Sequence, residues 1–294
     1  MIRRLAERLW KNYNTKIFTT VLQYTVVNQT KVKKYWLIFK NSVQTALAYR
    51  FNTFASLISE GLVFSVMAYL WLSVYYQGNK IGDYTLKGLI LYYLLTRFIN
   101  LTIKSWDIGR IVGEVIRHGE ISQYLVKPLS FLGENFVANL GAIFYRIFIY
   151  AIVFLAIILF GFKANFPTAA VFIYFSLSIA IAIVINFLIF YTVGISTFYF
   201  GFVMGFNFIV STIASFLAGN FIPLDILPPY LLNIANYLPF KFIAFIPVSI
   251  VTGKISLDNA PVILLSGFAW IIILYLFSVI LYKQGLKRYE AFGG

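Results

Sequence analysis

ANFPTAAVFIYFSLSIAIAIVINFLIFYTVGISTFYFGFVMGFNFIVSTIASFLAGNFIPL, residues 164–224, carries no charged side chain and no histidine. A helix rises about 1.5 Å per residue and the hydrocarbon of a bilayer is about 30 Å thick, so about 20 apolar residues make one crossing. The run is too long for one crossing and suits two, over 168–192 and 195–217, with a turn expected at Val193–Gly194. Four similar stretches lie outside it, at 55–76, 86–103, 136–162 and 261–282. The composition agrees. Of 294 residues, 61% are hydrophobic and 12% charged, against about 45–50% and about 25% in soluble domains. There is too little polar side chain to cover a water-soluble particle.

The net charge of +14 is distributed unevenly. With the N-terminus inside, ten basic residues precede the first span. Lys104, Arg110, Arg117 and Lys127 follow the second span, and Lys283, Lys287 and Arg288 follow the last. The opposite side holds only Lys80, Lys163, Lys241 and Lys254. Positive-inside bias therefore places both termini in the cytoplasm, in the cell membrane, with no secretory signal expected. The chain divides into a cytoplasmic and interfacial region (1–50), a membrane domain (51–283) and a cytoplasmic tail (284–294).

Chemistry is limited by what is missing. Without cysteine there is no disulfide, iron–sulfur or thiolate zinc site, and one histidine with ten scattered acids gives no basis for a metal centre. No G-x-x-x-x-G-K-[ST] loop occurs, so the chain is not expected to hydrolyse ATP by itself. An intramembrane metal-dependent enzyme is disfavoured, because no D-x-x-D or E-x-x-E pair is present.

Three segments outside the spans have patterns of their own. Residues 1–13 set Ile2, Leu5, Leu9 and Trp10 opposite Arg3, Arg4, Arg8 and Lys11, which suits a helix in the headgroup plane. Residues 31–50 continue that basic, aromatic pattern into the first span. After the second span, Ile108, Ile111, Val112, Val115 and Ile116 follow helical spacing, with Asp107, Arg110, Glu114 and Arg117 on the other face and Gly119 as a stop. Such a stripe suits docking to a partner or packing on its own bundle. Between Pro223 and Pro247 the chain is too apolar for a plain loop and too broken for a span, so it reads as an external or re-entrant cap.

Three ionisable residues fall inside spans. At 1.5 Å per residue, Glu60 and Arg97 lie about 13 Å and about 10 Å deep, so an ion pair between the first two spans is expected. Arg146 lies about 16 Å deep. Such charges serve either a polar path or gate, or the register of the helices. Phe198, Phe202 and Phe206 form an i, i+4, i+8 stripe beside the G-x-x-x-G pair Gly201 and Gly205.

The order of these parts, with three local motifs, resembles the membrane subunit of ATP-binding-cassette exporters of the type-2 permease class. The motifs are Ala46-Leu-Ala-Tyr-Arg50, Gly119-Glu-Ile-Ser-Gln-Tyr-Leu-Val-Lys-Pro128, and Gly219-Asn-Phe-Ile-Pro223 continuing through Leu238-Pro-Phe240 to Pro247. The resemblance covers roughly 31–282, and the N-terminal extension departs from it. It implies an all-α membrane fold of six transmembrane helices with N-terminal interfacial helices, a cytoplasmic coupling helix and a broken external or re-entrant segment between spans five and six. It also implies a second permease chain, identical or paralogous, and two separate ATPase subunits that carry ATP and Mg. Asp107, Ile108, Arg110, Ile111, Glu114, Val115 and Arg117 would then couple to the ATPase, and Glu60, Arg97, Phe198, Phe202 and Phe206 would border the path. The rival reading is an ion-coupled secondary transporter with Glu60 as its proton site, which calls for broken helices at matching places in two halves.

Overall fold

The structure is a computed structural model that describes residues 31–78, 81–161 and 167–289. The helix expected over 1–13 lies outside these residues. Among them only helices and turns occur, with one isolated bridge between Ile81 and Tyr84. The order is α1 (Lys31–Ala48), α2 (Arg50–Tyr76), α3 (Leu86–Ile103), α4 (Trp106–Arg117), α5 (Ile121–Leu125) and α6 (Phe131–Ala156, extended by a π turn Ile157–Gly161). Then come α7 (Ala169–Ile195), α8 (Thr197–Phe200), α9 (Met204–Leu217), α10 (Pro229–Tyr237), α11 (Phe245–Val251) and α12 (Ala260–Arg288).

The chain marks its own helix starts. Thr85 Oγ1 accepts from Gly88 N at 3.1 Å and Ser130 Oγ from Gly133 N at 3.1 Å, each filling a donor that helix geometry leaves open. Prolines open α10 and α12, where no amide hydrogen is needed.

Five helices are long and apolar enough to cross a membrane: Arg50–Tyr76, Leu86–Arg117 with its break, Phe131–Gly161, Ala169–Phe200 and Ala260–Arg288. The sixth expected crossing is shorter. Its helix α9 has 14 residues, about 21 Å. The turn is also displaced from the expected Val193–Gly194. α7 runs straight through both residues, and the chain reverses only at Gly201, whose φ of 68° is a left-handed conformation that suits glycine. Gly194 is small for a different reason: a Cβ there would stand 2.6 Å from Val112 Cβ and 2.9 Å from the Gly109 carbonyl oxygen. Sequence alone does not separate a glycine needed for a turn from one needed for close approach.

The bundle is organised around α7, which is apolar on every side and packs on α12, α4 and α11. Ile181, Ile185 and Ile189 of α7 meet Leu89, Tyr92 and Ile99 of α3, and Phe242, Ile246 and Val248 from beyond α9. The segment after α9 therefore folds back into the bundle, as a cap that dips inward. α1 lies along α6, with Ser42 Oγ donating to the Ala138 carbonyl at 2.5 Å. α2 is different: only Trp71 is buried, and Ile58, Leu62, Val66 and Tyr69 face outward.

Candidate functional site: a helix break, a clamp and a polar cavity

Helix α3 ends at Ile103 and α4 begins at Trp106, so a break at Lys104–Ser105 frees backbone carbonyls inside the bundle. Side chains of other helices meet the Ile103 and Lys104 carbonyls at the break and the Trp106 carbonyl just beyond it. Asn186 Nδ2 of α7 donates to the Ile103 oxygen at 2.7 Å, and Arg146 Nη1 of α6 to the Lys104 oxygen at 3.0 Å. Asn207 Nδ2 of α9 donates to the Trp106 oxygen at 3.2 Å. Arg146 thus pairs with no carboxylate among the described residues. It caps the C-terminal end of α3, where the helix dipole favours a cation. Asn139 Nδ2 adds a bond to Ser105 Oγ at 3.1 Å. Three helices therefore hold the start of α4.

The apolar stripe of α4 is real, and most of it is occupied by the chain itself. Ile108, Val112 and Ile116 are buried against Phe187, Leu188, Tyr191 and Ile195. The contact is close because both sides are small: besides Gly194, a Cβ on Gly113 would meet Val203 Cγ1 at 2.5 Å and Thr197 Oγ1 at 2.8 Å. Val115 is half-buried, while Ile111 stays 40% exposed. On the polar face Arg110 pairs with Glu114 at 3.1 Å. Asp107 and Arg117 are exposed. The free surface is thus Ile111 framed by Asp107, Arg110, Glu114 and Arg117. The exposed pair Leu125 and Val126 follows in sequence, and the stripe gave no hint of it. At the far side of this turn Tyr289 Oη donates to the Gly119 carbonyl at 2.7 Å, tying in the end of α12.

The other end of α3 grips the end of α9. A 6→1 and 5→2 pair of bonds closes α9, with Asn220 N donating to Ser215 O and Gly219 N to Phe216 O, both at 3.1 Å. Four successive carbonyls beyond it each receive a donor. Phe245 N serves Ala218 at 3.0 Å, Tyr92 Oη serves Gly219 at 2.8 Å, Arg97 Nη2 serves Asn220 at 3.1 Å, and Tyr93 Oη serves Phe221. Unwound backbone at membrane depth needs this complete satisfaction. The expected Glu60–Arg97 ion pair is present at 3.3 Å, with the two side chains 30% and 11% exposed.

Between the Asn207–Trp106 bond and this clamp lies a cavity of about 440 Å³. Its polar wall includes Glu60, Arg97, Lys104, Asn100, Asn186 and Asn220, and its apolar wall includes Phe208 and Phe221. The expected phenylalanine stripe does not reach it. Gly201 breaks the helical register, so Phe198 packs instead on Gly285, Tyr282 and Tyr289. Phe202 sits exposed in the turn, and Phe206 pairs with Phe200. A Cβ on Gly201 or Gly205 would meet nothing within 4 Å, so the G-x-x-x-G pair makes no close helix contact among the described residues.

Residues 62–293 match the model of the family described as ABC-2 family transporter protein. The chain belongs to that family. No curated protein matches it. As an ABC-2 permease the chain is the membrane component of a transporter, and the match runs from inside α2 to the tail, covering the break, the clamp and most of the cavity wall. The permease residues that sequence reasoning missed are Asn186, Asn207 and Asn220. Each stands alone in the uncharged run 164–224, and an isolated amide in an apolar span was the available signal. At the end of the permease away from α4, Tyr84 Oη donates to Asp225 Oδ1 at 2.9 Å and Lys254 Nζ pairs with Asp225 Oδ2 at 2.8 Å, above the Tyr84 ring. Burial, and then the Asp225 carboxylate, push the Tyr84 phenol above its usual range. This cluster fastens the 3-10 turn Leu224–Ile226 to the loop between α2 and α3.

Proposed function

We propose that this permease is half of the membrane path of an ATP-driven exporter, worked by separate ATPase subunits that carry ATP and Mg. Six crossings, counting the short α9 with its re-entrant cap, leave both termini in the cytoplasm. A second permease, identical or paralogous, completes the path, and the outward apolar face of α2 gives lipid or that second chain a surface.

One observation carries the reading. α4 is held at its start by α6, α7 and α9 while its charged face stays free. A push on that face moves the Lys104–Ser105 break and, through it, three spans. α9 is bonded to the start of α4 at one end of the cavity, and the stretch after α9 to α3 at the other, so the same push changes the cavity's shape. The secondary-transporter alternative gains no support. Glu60 is committed to Arg97, and a proton-carrying acid would have to part from that cation in every cycle.

The test exchanges the pair, Arg110→Glu with Glu114→Lys. The intrahelical attraction survives in reversed order, so the fold is kept while the charge pattern offered to a partner is inverted. Tagged wild-type chain pulled down from its native host is expected to bring a subunit with the G-x-x-x-x-G-K-[ST] loop, and the exchanged chain to lose it. Equal recovery of the ATPase by both chains would remove α4 as the coupling element.

A further inference from the structure

We propose that a second pocket, between the α5–α6 connection and α12, holds the phosphate of a membrane phospholipid whose chains lie along the outer face of α12. The site is distinct from the cavity beside α3 and does not depend on the coupling reading.

The pocket measures about 290 Å³. Tyr124 and Lys127 line it from α5 and the connection after it, Tyr191 from α7, and Tyr275 and Tyr282 from α12. Packing fixes the rings: Phe131 stacks on Tyr282 at 6.0 Å and meets Tyr124 edge-on at 4.8 Å, and Tyr191 stacks on Phe187 at 5.5 Å. The hydroxyls are left over. Elsewhere in the fold Tyr92, Tyr93 and Tyr150 each donate to a carbonyl, as buried phenols usually do. None of the four phenols in this pocket is hydrogen-bonded among the described residues. Tyr191 as a residue is only 1% exposed, yet its oxygen is not sealed off by protein and opens to the pocket.

The free groups favour an anion. Lys127 is the one ionic side chain in the lining, and no carboxylate lines it. Glu134 pairs with Lys127 from outside the lining, at 3.5 Å, and the ammonium lies 4.0 Å from the Tyr124 ring centroid, with the lysine side chain still 42% exposed. An ammonium has three hydrogens, so one carboxylate does not exhaust it. The hydroxyls of Ser130 and Ser278 are already used, by the Gly133 amide and the Tyr275 carbonyl. What remains is a set of O–H and N–H donors around one cation. A phosphate oxygen accepts from such groups more strongly than a neutral acceptor does, and a cationic head would meet Lys127 instead.

Position names the source of the phosphate. Along α12, Tyr275 and Tyr282 stand about 23 Å and about 33 Å from Ala260, and Tyr191 stands about 33 Å from Ala169 along α7, at 1.5 Å per residue. They straddle the far edge of a hydrocarbon layer of about 30 Å, where phospholipid headgroups sit. Above Tyr275 on the same helical face, Ile272, Phe268 and Leu265 are 59%, 49% and 70% exposed, a continuous apolar track for acyl chains. An occupied pocket ties the connection after α5 to α12, beside the exposed Leu125 and Val126, so the lipid would stiffen a surface that a partner can reach.

The test is native mass spectrometry of the full chain, purified without added lipid and titrated with dioctanoyl phosphatidylglycerol, with dioctanoylglycerol and with inorganic phosphate. Saturable binding of the phospholipid is expected, at least tenfold tighter than dioctanoylglycerol, which has the chains without the phosphate. Tyr191→Phe with Tyr282→Phe keeps both rings and deletes only the hydroxyls; it should weaken phospholipid binding about tenfold and leave dioctanoylglycerol unchanged. Lys127→Gln, on another element, should weaken it independently. Equal binding of the two lipids, or unchanged phospholipid binding in the phenylalanine variant, would overturn the proposal. Inorganic phosphate binding as tightly as the phospholipid would also overturn it, by making the occupant a soluble anion. No ATPase enters this assay, so loss of the coupling reading and loss of this one are separate results.

Discussion

Replacing Arg97 by leucine and Glu60 by glutamine, singly and together, separates a structural clamp from a working ion pair. Arg97→Leu leaves the Asn220 carbonyl without its donor, at about 1–3 kcal/mol. It also strands Glu60. Unpairing a buried partner costs about 3–5 kcal/mol, but Glu60 is 30% exposed and recovers part of that from water. The total comes to about 3 kcal/mol. Glu60→Gln keeps an oxygen for Arg97, whose other bond to the end of α9 persists in a helix-terminal field that favours cations. Its cost is about 1 kcal/mol. The double variant should lose less than Arg97→Leu, because the carboxylate is then no longer stranded and only the carbonyl remains unmet. Unfolding of the purified chain in mixed micelles of rising dodecyl sulfate fraction, followed by tryptophan fluorescence, measures all three. Equal losses for the two single variants would refute the clamp and return the stability to the ion pair itself.

Gly194→Val forces its side chain into Val112 and the Gly109 carbonyl, and overpacking of this kind costs about 1–3 kcal/mol; α4 should loosen, seen as faster protease cleavage near Arg117, with α12 unaffected. A cysteine at Lys241 should react with a membrane-impermeant thiol reagent from outside intact cells and one at Arg117 should not, and the reverse pattern would invert the topology. Because the Tyr84 phenol is raised in the fold, its contribution is in place below the ordinary tyrosine value of about 10 and is lost only as pH climbs through the higher folded value. The 295 nm titration of wild type minus Tyr84→Phe should therefore show no ionisation near pH 10. Asp225→Asn should reduce stability by about 1 kcal/mol or less at low salt and by less at high salt, because the Lys254 pair is part-exposed.

Much of this architecture was legible in the sequence, and the misses have physical causes. The Glu60–Arg97 pair followed from depth arithmetic, since two helices of known rise place both residues at one level. The face of α4 was read correctly as apolar, but periodicity gives a face and not its occupant; α7 holds Ile108, Val112 and Ile116. The phenylalanine stripe assumed an unbroken helix, and one left-handed residue at Gly201 ended that register. The asparagines were visible and unread, because Asn186 and Asn207 meet backbone oxygens brought together at the break after Ile103, and Asn220 meets Asn100 through the unwound stretch after α9. Those breaks are tertiary facts.

The four carbonyls at residues 218–221 also bear on how the chain is made. A helix of 14 residues followed by open backbone is a poor candidate to leave a translocation channel for lipid unaided. Three of the four donors it needs, from Tyr92, Arg97 and Tyr93, are synthesised more than a hundred residues earlier. α3 must therefore still be at hand when α9 emerges, and insertion of this permease becomes a matter of timing between distant segments.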